Sequence, residues 1–219
     1  MSDRIGPGDL EGAGGAEDWR CVAGAAVAVF RTGAFDVGAR LVARVAELAD
    51  AANHHPDVDL RYGTVTVRLV SHDVGGLSRR DLALAREVSA AARELGVAAD
   101  PAAAQAVEVV VGAPADDAVP AFWAALLGYP RRRGAGGGAL ADPLGRGPSV
   151  RVAAAGAAGR GRVRLDVHVP ADVAEARVAA ALAAGGHLVT GRRAPGEWVL
   201  ADAAGDEVRV RTWQRPDGG

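Results

Sequence analysis

From Tyr62 to Val70 the chain alternates: Val65, Val67 and Leu69 fall on one face of a strand, Thr64, Thr66 and Arg68 on the other. Helical patterns flank that strand. Upstream, Val37, Leu41, Val45 and Leu48 recur at spacings of four, four and three, which predicts an amphipathic helix with Asp36 as its N-cap. It ends at Asn53 and the HHP tripeptide, because the residue before Pro56 is pushed out of helical space. Downstream, Gly75-Gly76 make a turn. Ser78 and Asp81, close to a capping box, open a second helix that presents Leu84, Val88 and Leu95 and stops at Gly96. The run WRCVAGAAVAVF (19–30) reads as strand, whereas residues 1–18 are Gly-rich and aperiodic, as expected of a flexible leader.

Beyond a short linker at 99–104 the pattern changes to an internal repeat. VEVVVGAPAD (107–116) and the helix after it resemble RLDVHVPAD (164–172) and its helix; ADPLGRGPSVRV (141–152) resembles ADAAGDEVRVRTW (201–213). The offset is near sixty residues in both comparisons, so each half reads strand, helix, then several strands. One such unit could not bury its sheet face alone, and two make one pseudo-symmetric domain over 105–215. Residues 19–98 form the other domain.

Composition narrows the function classes more than it identifies one. The chain of 219 residues is long enough for two domains, and its formal charge of −2 offers no electrostatic footprint for nucleic acid or an anionic membrane. All 25 basic residues are Arg, a bias of composition that discourages reading single arginines as functional. The run RRR at 131–133 reads as a solvated loop. Cys21 is the only cysteine, which excludes an intramolecular disulfide and a CxxC metal or redox site. The leader lacks the apolar core of a signal peptide, and the longest apolar run, near Val22–Phe30, is too short to span a bilayer. These features predict a soluble cytoplasmic protein.

Three of the five histidines, His54, His55 and His72, bracket the alternating strand, with carboxylates close by. An imidazole exchanges protons near neutral pH, so the three make the strongest acid/base inventory in the chain. A polar turn with a solvated strand end explains the same residues. A metal site is a third reading, weakened by the lack of HxxxH, HxH or His-carboxylate helix spacing. GAGGGA (134–139) has the letters of a dinucleotide fingerprint but not its strand-before, helix-after context, and reads as a hairpin loop.

The order Trp19, Phe30, Phe35, VAELADAANHHPD, Tyr62, TVTVRL, SH, GLS, RRD resembles the pterin-4a-carbinolamine dehydratase (4a-hydroxytetrahydrobiopterin dehydratase) family over about residues 18–98. The resemblance implies an α+β fold, helices on a four-stranded antiparallel sheet. It also implies catalytic roles for His54, His55 and His72, with Asp50, Asp81 and Ser71 binding or orienting substrate. The implied reaction is loss of water from a 4a-hydroxytetrahydropterin to give the quinonoid dihydropterin, in pterin recycling, with no metal or redox cofactor. Val58 departs from the pattern, standing near where many members carry an aromatic, and the leader replaces the usual N-terminal helix.

The repeat, with FWAALLGY (122–129), LADPLGRGPSV, RLDVHVP and WVLADAAGDEV, resembles the glyoxalase-like (vicinal oxygen chelate) superfamily over about 105–213. That resemblance implies duplicated βαβββ units curled around a cleft, where many members hold a divalent metal. Arg164 stands where relatives often have His, and only His168, Glu207 and Glu108 remain as weak ligand candidates, so no metal is expected. A pterin dehydratase that forms a homo-oligomer is the leading expectation. A non-catalytic binding or dimerisation module is the alternative, as is a small-molecule activity in the C-terminal domain.

Overall fold

The structure, a computed structural model, describes residues 3–113, 118–131, 139–145, 147–154, 163–201 and 207–215. The chain forms two compact units, Met1–Ala104 and Gln105–Gly219.

The first unit is built on an antiparallel sheet. Strands β1 (Arg20–Val22), β2 (Ala25–Arg31), β3 (Asp57–Arg61) and β4 (Thr64–Leu69) run in the order β1-β2-β4-β3, and the two-residue β5 (Ala98–Ala99) extends the β1 edge of β2. Pairing of β2 with β4 sets Ala26, Ala28 and Phe30 opposite Leu69, Val67 and Val65, so all six share one face. Helices α2 (Phe35–Ala52) and α3 (Arg79–Glu94) bury Leu41, Val45, Leu84 and Val88 in that core. Trp19 is fully buried at its centre, edge-on to Phe30 at 6.4 Å, and its indole N–H donates to Ala85 O and Ser89 Oγ, each at 3.0 Å. Gly38 of α2 lies so close to the sheet that a Cβ there would meet Leu60 Cδ1 at 2.6 Å.

Several sequence expectations are corrected here. Helix α2 starts two residues early: Ala34 is its N-cap, because Gly33, at φ +70°, turns the chain before Asp36 is reached. Asp36 lies in the first turn instead, paired with Arg40 at 3.0 Å and favourably placed in the dipole. Leu95 is the C-cap of α3 and 38% exposed; after Gly96 (φ +68°) it is Val97 that returns to the core. Strand β3 was not anticipated. Its sequence, DVDLR, carries an acid, an acid and a base on the outer face of an edge strand, where charge keeps other chains from pairing and erases the apolar signal.

The leader is folded rather than flexible. Residues Pro7–Glu11 form helix α1, and Leu10 and Ala16 are fully buried in the same core as Trp19. Backbone bonds from Ile5 N to Leu77 O and from Arg79 N to Asp3 O, 2.9 and 3.0 Å, fix the segment to the start of α3. One leucine in a Gly-rich run is too sparse to register as periodicity, yet it is enough to anchor five residues of helix. The expected linker is fastened too: Ala99 pairs with Phe30, Asp100 N–H donates to Val29 O at 2.7 Å, and Arg31 bridges to Asp100.

The second unit has one mixed sheet. Strands β6 (Ala106–Ala113), β7 (Ser149–Ala154), β8 (Val163–His168), β9 (His187–Arg193), β10 (Glu197–Ala201) and β11 (Glu207–Arg211) lie in the order β7-β6-β8-β11-β10-β9. Its symmetry is legible in the pairing. β6 with β7 and β8 with β11 are parallel, and the antiparallel β6–β8 contact joins the halves. Helices α4 (Ala118–Leu127) and α5 (Ala174–Ala183) follow β6 and β8. In the first half, bridges Arg131↔Leu140 and Leu140↔Val150 stand where β9 and β10 complete the second. Apolar residues of β6 and β7 pack on α4, those of β8, β10 and β11 on α5. The strand partners put both helices on one face and, among the described residues, leave the other free of helix. Arg132, Arg133 and the Gly-rich run up to Gly138 lie outside the described residues.

Candidate functional site

The hairpin β3–β4 and the N-terminus of α3 bring the first unit's polar residues to one end of the sheet. Helix α2 stops at Asn53, which is left-handed (φ 47°), and the chain turns so that His54 points inward. Its Nε2 lies 2.7 Å from Asp81 Oδ1, with His54 9% exposed and Asp81 fully buried. A carboxylate only accepts, so Nε2 carries the proton and donates it, leaving Nδ1 with the lone pair in the neutral ring. The other oxygen of Asp81 accepts from Ser71 Oγ at 2.8 Å and from Ser78 N–H at 2.7 Å. Ser71 and Ser78 hydroxyls meet at 2.7 Å, and Ser78 Oγ caps Arg80 N–H. Asp81 is therefore both the third residue of a capping box and the partner of a histidine 27 positions away.

His55 faces solvent, its Nε2 donating to Asp50 Oδ1 at 2.9 Å across the end of α2; both side chains are largely exposed. His72 follows Ser71 and is also exposed, at the start of the turn that Ser71 and Gly76 close by two backbone bonds. Arg80 holds that turn by bonding Asp73 at 2.7 and 2.8 Å. Val58, opposite Val67 on β4, belongs to the helical face of the sheet but is 37% exposed at its edge. Histidines and carboxylates thus pair singly, one buried couple and one exposed couple, with His72 beside the buried one. Ser78 was not expected among these residues; its capping pattern was the signal, but a cap does not announce a hydroxyl that also supports Asp81.

In the second unit the weak metal candidates do not assemble. Register sets Glu108 opposite Asp166 and Ala106 opposite His168, all on the helix-free face. Glu108 bonds Arg151 at 3.0 Å, and Asp166 accepts from Arg164 at 2.7 Å, while Glu207 pairs with no described residue. Burial, reinforced by Arg211, holds the His168 imidazole below its usual range; for Asp166, burial raises the carboxyl but the bond and charge of Arg164, with Arg211 and Arg209, outweigh it and the net shift is down. No three His, Cys, Asp or Glu side chains among the described residues are grouped to hold a metal ion. Guanidinium groups occupy Glu108 and Asp166 and repel a cation, so these residues do not fit the divalent ion of the glyoxalase-like superfamily.

Among the described residues no helix is long and apolar enough to cross a membrane. Residues 9–91 match a family model described as pterin 4 alpha carbinolamine dehydratase, and residues 108–211 one described as a glyoxalase-like domain. A provisionally named pterin-4-alpha-carbinolamine dehydratase of Chloroflexus aurantiacus is 44% identical over 71 residues, covering 32% of this chain and 76% of that protein. Another so named, from Mycobacterium bovis, is 50% identical over 56 residues, 26% of this chain and 60% of that one. A solved structure of a transcriptional coactivator/pterin dehydratase from Brucella melitensis has 28% identity, covering 35% of this chain and 83% of that chain, with a TM-score of 0.34.

Proposed function

Because the chain belongs to the pterin-4a-carbinolamine dehydratase family, we propose that its first unit removes water from a 4a-hydroxytetrahydropterin, with His54, His55 and His72 as its acid/base groups. The observation that carries this reading is the buried His54–Asp81 pair, 2.7 Å apart, at the same end of the sheet as His72.

In the reaction the C4a–O bond breaks and the hydroxyl leaves as water after taking a proton. The N5 proton goes to a base, and the N5 electrons form the C4a=N5 bond of the quinonoid product. His54 suits the base: its free Nδ1 accepts the proton, and Asp81 stabilises the imidazolium that forms. His72, on the neighbouring segment, supplies the proton to the departing hydroxyl. His55, steered by Asp50, binds the substrate edge or shares in the transfer. The proton gained by one imidazole replaces the proton lost by the other, so the site returns to its starting state through solvent. Val58 gives the ring an aliphatic rather than a stacking contact. In the cell this activity serves pterin cofactor recycling, in the cytoplasm and as a homo-oligomer.

The direct test is the dehydration rate of a synthetic 4a-carbinolamine, followed by absorbance with and without protein. Wild type accelerates the reaction over buffer, and a folded His54→Ala/His72→Ala double variant does not. A wild-type rate equal to buffer, with circular dichroism showing a folded protein, would falsify the proposal and favour a non-catalytic binding module.

A further inference from the structure

On the helix-free face of the second unit, four guanidinium groups surround three carboxylates. Asp166, fully buried, accepts from Arg164 Nε at 2.7 Å on one oxygen and from Arg211 Nη1 and Arg151 Nη2 at 3.2 and 3.4 Å on the other. Arg151 also reaches Glu108, and Glu197 accepts from Arg209 at 3.3 Å and lies 3.5 Å from Arg211 Nε.

Arg164 carries a donor left unpaired. It is 4% exposed, and its Nη1 is buried with no hydrogen-bond partner. Buried polar groups are nearly always paired, and a charged donor left without an acceptor is among the costliest vacancies in a protein interior. Register puts Val110 beside Arg164 and Val199 beside Arg209 on the same face, both buried.

We propose that this face is a binding site for the carboxylate of a small organic acid, with Arg164 Nη1 as the principal donor and Arg151 and Arg211 flanking it. A planar guanidinium whose Nε is taken by Asp166 still offers Nη donors to a second carboxylate. A carboxylate supplies the acceptor that Arg164 Nη1 lacks, whereas a divalent cation would be repelled by the guanidinium groups around it. The glyoxalase-like scaffold thereby carries arginines where a metal centre would need ligands, and takes an anion in its place.

Benzoate is the probe, titrated calorimetrically into the full-length protein at constant ionic strength, with neutral benzamide, inorganic phosphate and Mn²⁺ as the comparison arms. Benzoate should bind saturably, and benzamide at least about tenfold more weakly, the worth of one charge-assisted bond. Arg164→Gln should lose about tenfold or more in benzoate affinity, and Arg211→Gln less. Should Arg164→Gln fail to fold, guanidinium ¹⁵N resonances of wild type decide: benzoate must shift those of Arg164. The proposal is overturned by the absence of saturable benzoate binding, by equal binding of benzamide, by tighter phosphate or stoichiometric Mn²⁺ binding, or by an unmoved Arg164 signal.

Discussion

Asp81→Asn separates the two jobs of one side chain. Oδ2 of Asp81 accepts from Ser71 Oγ and Ser78 N–H, and Oδ1 accepts from His54 Nε2–H. An asparagine that keeps its carbonyl at the Oδ2 position retains the helix cap but places an NH₂ group against the His54 N–H. The ring answers by changing tautomer, so that Nε2 accepts from the amide and the proton moves to Nδ1. No buried group is left unpaired, and the cost is the difference between charge-assisted and neutral hydrogen bonds, about 1–2 kcal/mol. For a unit of this size that lowers the midpoint of thermal unfolding by roughly 5–15 °C. The effect on dehydration is larger, because Nδ1 now holds a proton and cannot accept one; the rate should fall by about 10²–10⁴. Differential scanning calorimetry gives the first quantity and the carbinolamine assay the second. Imidazole ¹⁵N shifts report the tautomer directly. A variant that is destabilised as expected yet dehydrates at the wild-type rate would show Asp81 to be a helix cap alone, and would remove His54 as the base.

Other perturbations address the rest of the chain. Leu10→Ala should destabilise the first unit by about 2–5 kcal/mol in urea unfolding, as for any buried leucine, whereas an unanchored leader predicts no change. The buried Cys21 thiol, pushed up to about 11, should resist alkylation at pH 8 in the native state. Its folded value lies above the unfolded one, so its contribution to stability is intact below pH 9 and is lost as pH rises towards 11, which high-pH denaturant titrations of wild type and Cys21→Ser compare. His168 and Asp166 both have lowered values, so the native state binds fewer protons than the unfolded one and acid destabilises the second unit. That loss begins as pH falls through the usual histidine range near 6.5 and deepens through the carboxylate range; His168→Gln should flatten the first part of the profile.

What the sequence made legible was whatever lies within one element or one turn. TVTVRL became β4 with its three apolar residues buried, and Ser78 with Asp81 became a cap, because strand alternation and capping are local. The pairing of His54 with Asp81 is not local. It depends on β3 returning beside β4 and on α3 starting where that hairpin ends, and β3 itself was hidden by its charged edge. The leader was misread for the opposite reason: its composition argues disorder while a single residue, Leu10, supplies the anchoring. In the second unit the compositional excess of arginine obscured Arg164. Only the packed side chains show that its Nε bonds Asp166 while its Nη1 is buried without a partner.

The helix cap and the proposed orienting role, the two readings of Asp81 in the sequence, are compatible because a carboxylate has two oxygens. The cap fixes Oδ2 against the backbone of Ser78, and this immobilises Oδ1 at the distance His54 requires. Ser71 tightens the arrangement from the end of β4, one residue before His72, so the two segments carrying the proposed base and acid are tied to the same carboxylate. Helix α3 contributes as well, since its first turn sets the negative charge of Asp81 at the positive end of the dipole. Positioning of an imidazole by a carboxylate is effective only when the carboxylate itself cannot rotate, and a buried capping box supplies that restraint without a further residue. His55 lacks it: Asp50 is exposed at the last turn of α2 and free to choose other rotamers. The geometry therefore ranks the histidines, with His54 as the group whose orientation the fold specifies and His55 as one that a bound substrate must order.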